Sequence, residues 1–107
     1  MAEEFLVVLT TWPNSETARA AARKMVEENL IACANIVPGV ESIYRWEGKL
    51  ETSAEVLLIL KTTSSRYAAV QSRIKELHSY EVPEIIALPI AAGLPQYLNW
   101  VQANCAL

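Results

Sequence analysis

Residues Ala32 to Trp46 read Ala-Cys-Ala-Asn-Ile-Val-Pro-Gly-Val-Glu-Ser-Ile-Tyr-Arg-Trp. Glu47-Gly48-Lys49 follows, and then Leu50 to Thr63, Leu-Glu-Thr-Ser-Ala-Glu-Val-Leu-Leu-Ile-Leu-Lys-Thr-Thr. Both arms are rich in Val, Ile, Leu and aromatic residues, a composition that suits a pleated, packed surface. Pro38-Gly39 interrupts the first arm and reads as a bulge or bend. Gly48 gives the short, flexible connection of a hairpin, so the two arms pair. Each arm has about 13 residues, enough to reach about 40 Å at 3.3 Å per residue.

On the N-terminal side, Phe5 to Leu9 is a short aliphatic strand without alternation, covered on both faces or pressed into an interface. Trp12-Pro13-Asn14 ends it, and Asn14 can cap a helix with Glu16 on the favourable side of the dipole. That helix is expected over Asn14 to Leu30, burying Ala18, Ala21, Ala22, Met25, Val26 and Leu30. Beyond the hairpin, Ser64 or Ser65 is the expected cap of a second helix, with Tyr67, Val70, Ile74 and Leu77 inward and its end at Leu77-His78. Ser79 to Pro83 is a turn, Glu84 to Ile90 a fourth strand with Pro89 suited to a sheet edge, and Pro95 opens a closing helix. The order β-α-β-β-α-β-α is that of an α+β fold: a ferredoxin-like antiparallel sheet with helices on one face and an extra C-terminal helix.

A first helix of about 25 Å cannot cover the whole hairpin, so its tip must overhang. The overhang carries Val40, Ile43, Tyr44, Trp46 and Leu50, an apolar load that an isolated ribbon exposes at the risk of aggregation. The ribbon is therefore expected to pack on a neighbouring subunit in a closed ring.

A length of 107 residues fits a single domain, taken as residues 1–107, and leaves no room for a second, regulatory one. Nine Lys and Arg against twelve acids give a net charge of -3, which provides no basic field for a nucleic-acid backbone. All twelve acids are Glu, which removes the Asp common in Mg²⁺ sites and hydrolytic triads. No apolar run approaches the length of a membrane helix, and no signal-peptide pattern opens the chain. Cys33 and Cys105 lie far apart without a C-x-x-C spacing and are expected as free thiols in a cytoplasmic protein.

His78 is the only histidine, so a His₂ or His₃ metal cage cannot form within one chain. It reads either as a ligand needing partners from elsewhere or as a half-exposed residue at a helix end. Cys33 sits among small residues and reads as a buried thiol. Trp46-Glu47-Gly48-Lys49 could line a pocket or simply form a turn with a solvated ion pair. Lys61 and Glu84 either pair across the sheet or face a cleft, with Tyr80 beside them. Three glycines leave nothing from which to build a phosphate cradle, and no nucleotide or hydrolase motif occurs.

Ala32 to Gly39, Ser42 to Glu51, Leu60-Lys61-Thr62, His78 to Glu84 and Tyr97 to Trp100 together resemble the CutA family of divalent-cation tolerance proteins, over a span from Val7 to about Trp100. The resemblance implies a PII-like subunit assembled as a homotrimer through the hairpin and the terminal segment. It further implies a non-enzymatic role in metal response, with copper or another divalent cation, or a small ligand, held in inter-subunit clefts bordered by Trp46, Lys61, His78, Tyr80 and Glu84. In bacterial members copper is associated with a first-strand cysteine and two adjacent histidines after the second helix. This chain has Thr10 and Leu77-His78 at those positions, so His78 alone carries over as a candidate metal ligand. Two other readings stand beside this one. A small enzyme such as an acylphosphatase would need a phosphate-holding Arg in the first loop, where Thr10 to Asn14 has none. A PII-like signalling or interaction scaffold would need no metal at all.

Overall fold

The computed structural model describes residues 3–106. Its elements are β1 (Phe5–Trp12), α1 (Ser15–Glu27), β2 (Cys33–Trp46), β3 (Lys49–Thr63), α2 (Tyr67–Leu77), β4 (Ile86–Pro89) and α3 (Pro95–Asn104). The strands form one antiparallel sheet in the order β2-β3-β1-β4. This is the split arrangement expected of the βαββαβ order.

Alternation along the strands defines two faces. Val8 and Trp12 of β1 and Val56, Leu58 and Leu60 of β3 are buried in one cluster with Ala18, Ala21, Ala22 and Met25 of α1 and Val70 and Ile74 of α2. Each large aliphatic side chain buried there contributes about 2 kcal/mol. The opposite face carries Val7, Leu9 and Thr11 in register with Lys61, Ile59 and Leu57, all only half-buried. α3 covers part of the molecule through a smaller cluster of Phe5, Ala32, Val101 and Cys105.

β1 runs to Trp12 rather than ending at Leu9, because Thr10, Thr11 and Trp12 still find partners in Leu58, Leu57 and Val56. Asn14 caps α1 as expected, its Oδ1 accepting from the Thr17 N–H at 2.8 Å. Asn14→Ala should therefore lower stability by about 1 kcal/mol, read as a shift in denaturant midpoint at constant slope.

α1 stops at Glu27, short of Leu30. Asn29 adopts a left-handed φ of 58°, its N–H donates to Val26 O, and the Leu30 N–H donates to Met25 O at 3.0 Å. This is a Schellman termination that folds Leu30 back into the core beside the helix instead of extending it. Neither Ser64 nor Ser65 caps α2; its N-cap is Arg66, without a side-chain cap. Both hydroxyls are taken by the Glu3 carboxylate, Ser64 Oγ at 2.5 Å and Ser65 Oγ at 2.9 Å, together with the Ser65 N–H at 3.0 Å. These donors hold the Glu3 carboxyl below its ordinary value. β4 spans only Ile86–Pro89, since β1 offers it Leu6 to Leu9; Glu84 and Ile85 lie before it. Pro89 sits on an edge strand, where its missing donor is tolerated.

The hairpin turns at Glu47 and Gly48, both with positive φ, the signature of a two-residue type I′ turn. Register along β2 and β3 shifts between Val37 and Val40, a bulge at Pro38-Gly39 where Gly39 has a φ of +77°. Val40–Trp46 and Glu55–Lys49 pair with each other beyond the end of β1, so the arm overhangs as expected. The molecule measures 45 Å along its longest axis against 26 and 23 Å across it. Ile43 and Leu50 near the tip are 65% and 71% exposed.

Candidate functional site

Where β1 ends, the edge of β3 is taken over by the connection between α2 and β4. Tyr80 on that connection donates its Oη hydrogen to Glu55 Oε2 at 3.0 Å. Between this connection and the overhanging arm lies a cavity of about 610 Å³. Its walls hold the aromatic rings of Tyr44, Trp46 and Tyr80, the carboxylates of Glu51, Glu55, Glu81 and Glu84, and the apolar Ile43 and Val82, with Thr11 and Ser42 completing the lining. Among these residues there is no Lys, Arg or His.

Strand pairing explains the grouping. Tyr44 faces Glu51, Ser42 faces Ser53 and Val40 faces Glu55, so one face of the arm carries the aromatic residues of β2 and the acids of β3. Tyr44 is further fixed by a 2.8 Å hydrogen bond between its hydroxyl and Ser53 Oγ. Trp46, at the outer end and opposite Lys49, is 51% exposed.

Of the residues singled out from the sequence, Trp46, Tyr80 and Glu84 come together on this cavity. Lys61 does not join them within one chain. It lies six residues from Glu55 along β3, about 20 Å away in an extended strand. There it faces Val7 and Cys33, and its ammonium donates to Asn35 Oδ1. Nor does it pair with Glu84 among the described residues, where the ion pairs are those of Arg73 with Glu28 and Glu76.

His78 lies under the site rather than in it. It is 8% exposed, not half-exposed, and packs between Trp12 and Tyr80 with ring centroids 4.2 and 4.6 Å away. Its Nδ1 accepts the Tyr80 backbone N–H at 3.1 Å, and Nε2 lies 2.7 Å from Thr11 O. A carbonyl can only accept, so the proton is on Nε2, and both nitrogens are committed to the backbone. No lone pair is left for a metal ion. Thr10, at the other position that the resemblance associates with copper, is fully buried on the helix-facing side of β1, and its hydroxyl has no partner. Its neighbour Thr11 is the β1 residue that reaches the cavity. Among the described residues no three His, Cys, Asp or Glu side chains are grouped to hold a metal. The ligand set that the resemblance implies therefore does not fit within one chain.

Tyr44, Glu51, Glu55 and Glu81 are lining residues that the sequence reading passed over. The two-residue alternation of β3 was the available signal: Glu51, Ser53 and Glu55 continue the face that carries Leu57, Ile59 and Lys61. Burial at the cavity and the contact with Glu55 push the Tyr80 phenol up to about 12. In the unfolded chain it ionises near 10, so the stability present below pH 10 declines as pH rises from about 10 to 12. The difference in tyrosinate absorbance between wild type and Tyr80→Phe should titrate near pH 12, and Glu55→Gln should bring that midpoint down.

A family model described as "CutA1 divalent ion tolerance protein" matches residues 6–104. The chain belongs to the CutA family. Among CutA relatives, the "Divalent-cation tolerance protein CutA" of Thermus thermophilus is 52% identical over 98 residues, covering 92% of this chain and 95% of that one. The rice "Protein CutA 1, chloroplastic" is 50% identical over 97 residues, which span 91% of this chain but only 55% of the rice protein. The fold agrees as well. The Thermus thermophilus CutA structure superposes with a TM-score of 0.93 at 50% identity, covering 98% of this chain and all of that one. Rice CutA1 superposes with a TM-score of 0.94 at 47% identity, covering 96% and 94%. These relatives are named for cation tolerance or for the family, not for a reaction.

Proposed function

We propose that this CutA chain is a homotrimeric divalent-cation response protein of the cytoplasm that binds without catalysing. A metal ion such as Cu²⁺, or a small ligand, is held in the cleft beside Trp46, Tyr80 and Glu84, completed by a neighbouring subunit. The observation that carries this reading is a cavity lined by four carboxylates and no basic side chain, at the root of an apolar arm. Carboxylates suit divalent cations and repel small anions. The described residues of one chain group too few donors for a metal, so a second subunit has to supply the rest. Trimer formation is supported by the exposed Ile43 and Leu50 and by the half-buried sheet face of Val7, Leu9 and Ile59, which lone chains would leave in water. Two free cysteines favour a reducing compartment, and among the described residues no helix is long and apolar enough to cross a membrane.

The test is calorimetry with Cu²⁺ on a sample whose mass is fixed by sedimentation. Wild type should be a trimer that takes up the ion, and the double variant Glu51→Gln/Glu55→Gln should lose most of the heat. His78→Gln should keep it. Loss of heat in His78→Gln with the Tyr80 absorbance titration unchanged would return the histidine to the ligand set. A trimer silent to metal would favour the scaffold reading, which the exposed tip residues also suit.

A further inference from the structure

The cavity combines features that a bare metal ion does not use. Three aromatic rings, Tyr44, Trp46 and Tyr80, line it alongside the carboxylates. The carboxylates are spread out rather than convergent: Glu51 and Glu55 are four residues apart on β3, about 13 Å along the strand. A metal ion gathers oxygen donors at about 2 to 2.6 Å and cannot serve both ends of such a row.

Glu55 points independently to a cation. It is 9% exposed, accepts one hydrogen bond from Tyr80, and forms no ion pair among the described residues. A buried carboxylate without a positive partner is costly, and an incoming cation relieves that cost. Arg45 and Lys49, the basic residues of the arm, sit opposite Leu50 and Trp46 toward its tip, and neither is part of the lining.

We propose that the cleft takes an aliphatic di- or polyamine. One ammonium group neutralises Glu55 beside Tyr80, and another reaches Glu51 near the aromatic end, over the faces of Tyr44 and Trp46, where cation–π attraction adds to the ion pair. The methylene chain between them lies along the Tyr44 ring and Val82. This inference rests on the reading of the cleft as a cation site and names the class of cation. The ligand keeps its covalent structure and protonation throughout.

The experiment uses the full-length protein, with spermidine, tetramethylammonium and Cu²⁺ titrated separately at matched ionic strength, followed by calorimetry and tryptophan fluorescence. Spermidine should bind saturably, change the Trp46 emission and weaken as salt rises. Trp46→Leu and Glu51→Gln, both at exposed positions of the arm, should each reduce affinity about tenfold. Tetramethylammonium, with one charge and no N–H, should bind at least tenfold more weakly; equal binding would overturn the requirement for separated charges. Uptake of Cu²⁺ with no response to spermidine would overturn the proposal and leave the metal reading intact. Silence to all three would remove both. Spermidine binding unchanged in both variants would place the amine elsewhere and overturn the assignment.

Discussion

His78→Ala should lower the unfolding free energy by about 2–4 kcal/mol, one of the larger single-residue losses expected in this chain. Three effects combine. The Tyr80 N–H and the Thr11 carbonyl each lose their imidazole partner, and a buried polar group left unpaired costs about 1–3 kcal/mol. A gap also opens between Trp12 and Tyr80, which the ring now fills. The damage should extend to the cleft, because the same Tyr80 carries the hydroxyl that holds Glu55. Chemical denaturation gives the size of the effect, and the Tyr80 absorbance titration gives its reach. A variant as stable as wild type would show that the imidazole is not the prop described. His78→Gln can replace one of the two hydrogen bonds and should fall between.

The second large effect concerns assembly. Ile59 lies in the middle of the sheet face turned away from α1 and α2, between Leu9 of β1 and Asn35 of β2. Ile59→Asp should leave the subunit folded, with its circular dichroism retained, and shift the sedimenting species from the proposed trimer to single chains at micromolar concentration. Burying an unpaired carboxylate costs several kcal/mol per site, and the closed assembly would bear that cost in every copy. A trimer that tolerates the substitution would mean this face is not shared between subunits.

Much of the frame was legible because its determinants are local. Asn14 ahead of an amphipathic run, Gly48 between two β-rich arms and Pro38-Gly39 within one of them act through backbone preferences that hold whatever the tertiary context. The misplaced boundaries share a different cause. Leu30 has the helical spacing of a core residue and is one, but Asn29 takes the left-handed turn that ends α1 first. Ser64 and Ser65 look like caps, yet a carboxylate some sixty residues earlier in the chain claims them. At the site, Tyr80, Glu84 and Trp46 stand out from the residues themselves, and the resemblance keeps them together. Glu55 does not stand out, because an acid in a strand reads as solvated until the loop that covers it is known. The surroundings of Lys61 and His78 were hidden for the same reason: what a side chain meets depends on register and on chain crossings that composition does not encode.

The bulge in β2 decides which way the arm looks. Before it, the odd-numbered Cys33, Asn35 and Val37 share a side with Ile59 and Leu57; after it, the even-numbered Val40, Ser42, Tyr44 and Trp46 take over that side. One surplus residue has reversed the parity of everything distal to it. Were Pro38-Gly39 shortened by a residue, the two-residue turn at Glu47-Gly48 would still set Tyr44 opposite Glu51, so rings and acids would stay together while the bend and added twist at the root of the arm were lost. The direction in which the outer sheet presents its rings thus hangs on a kink about five to eight residues away from them.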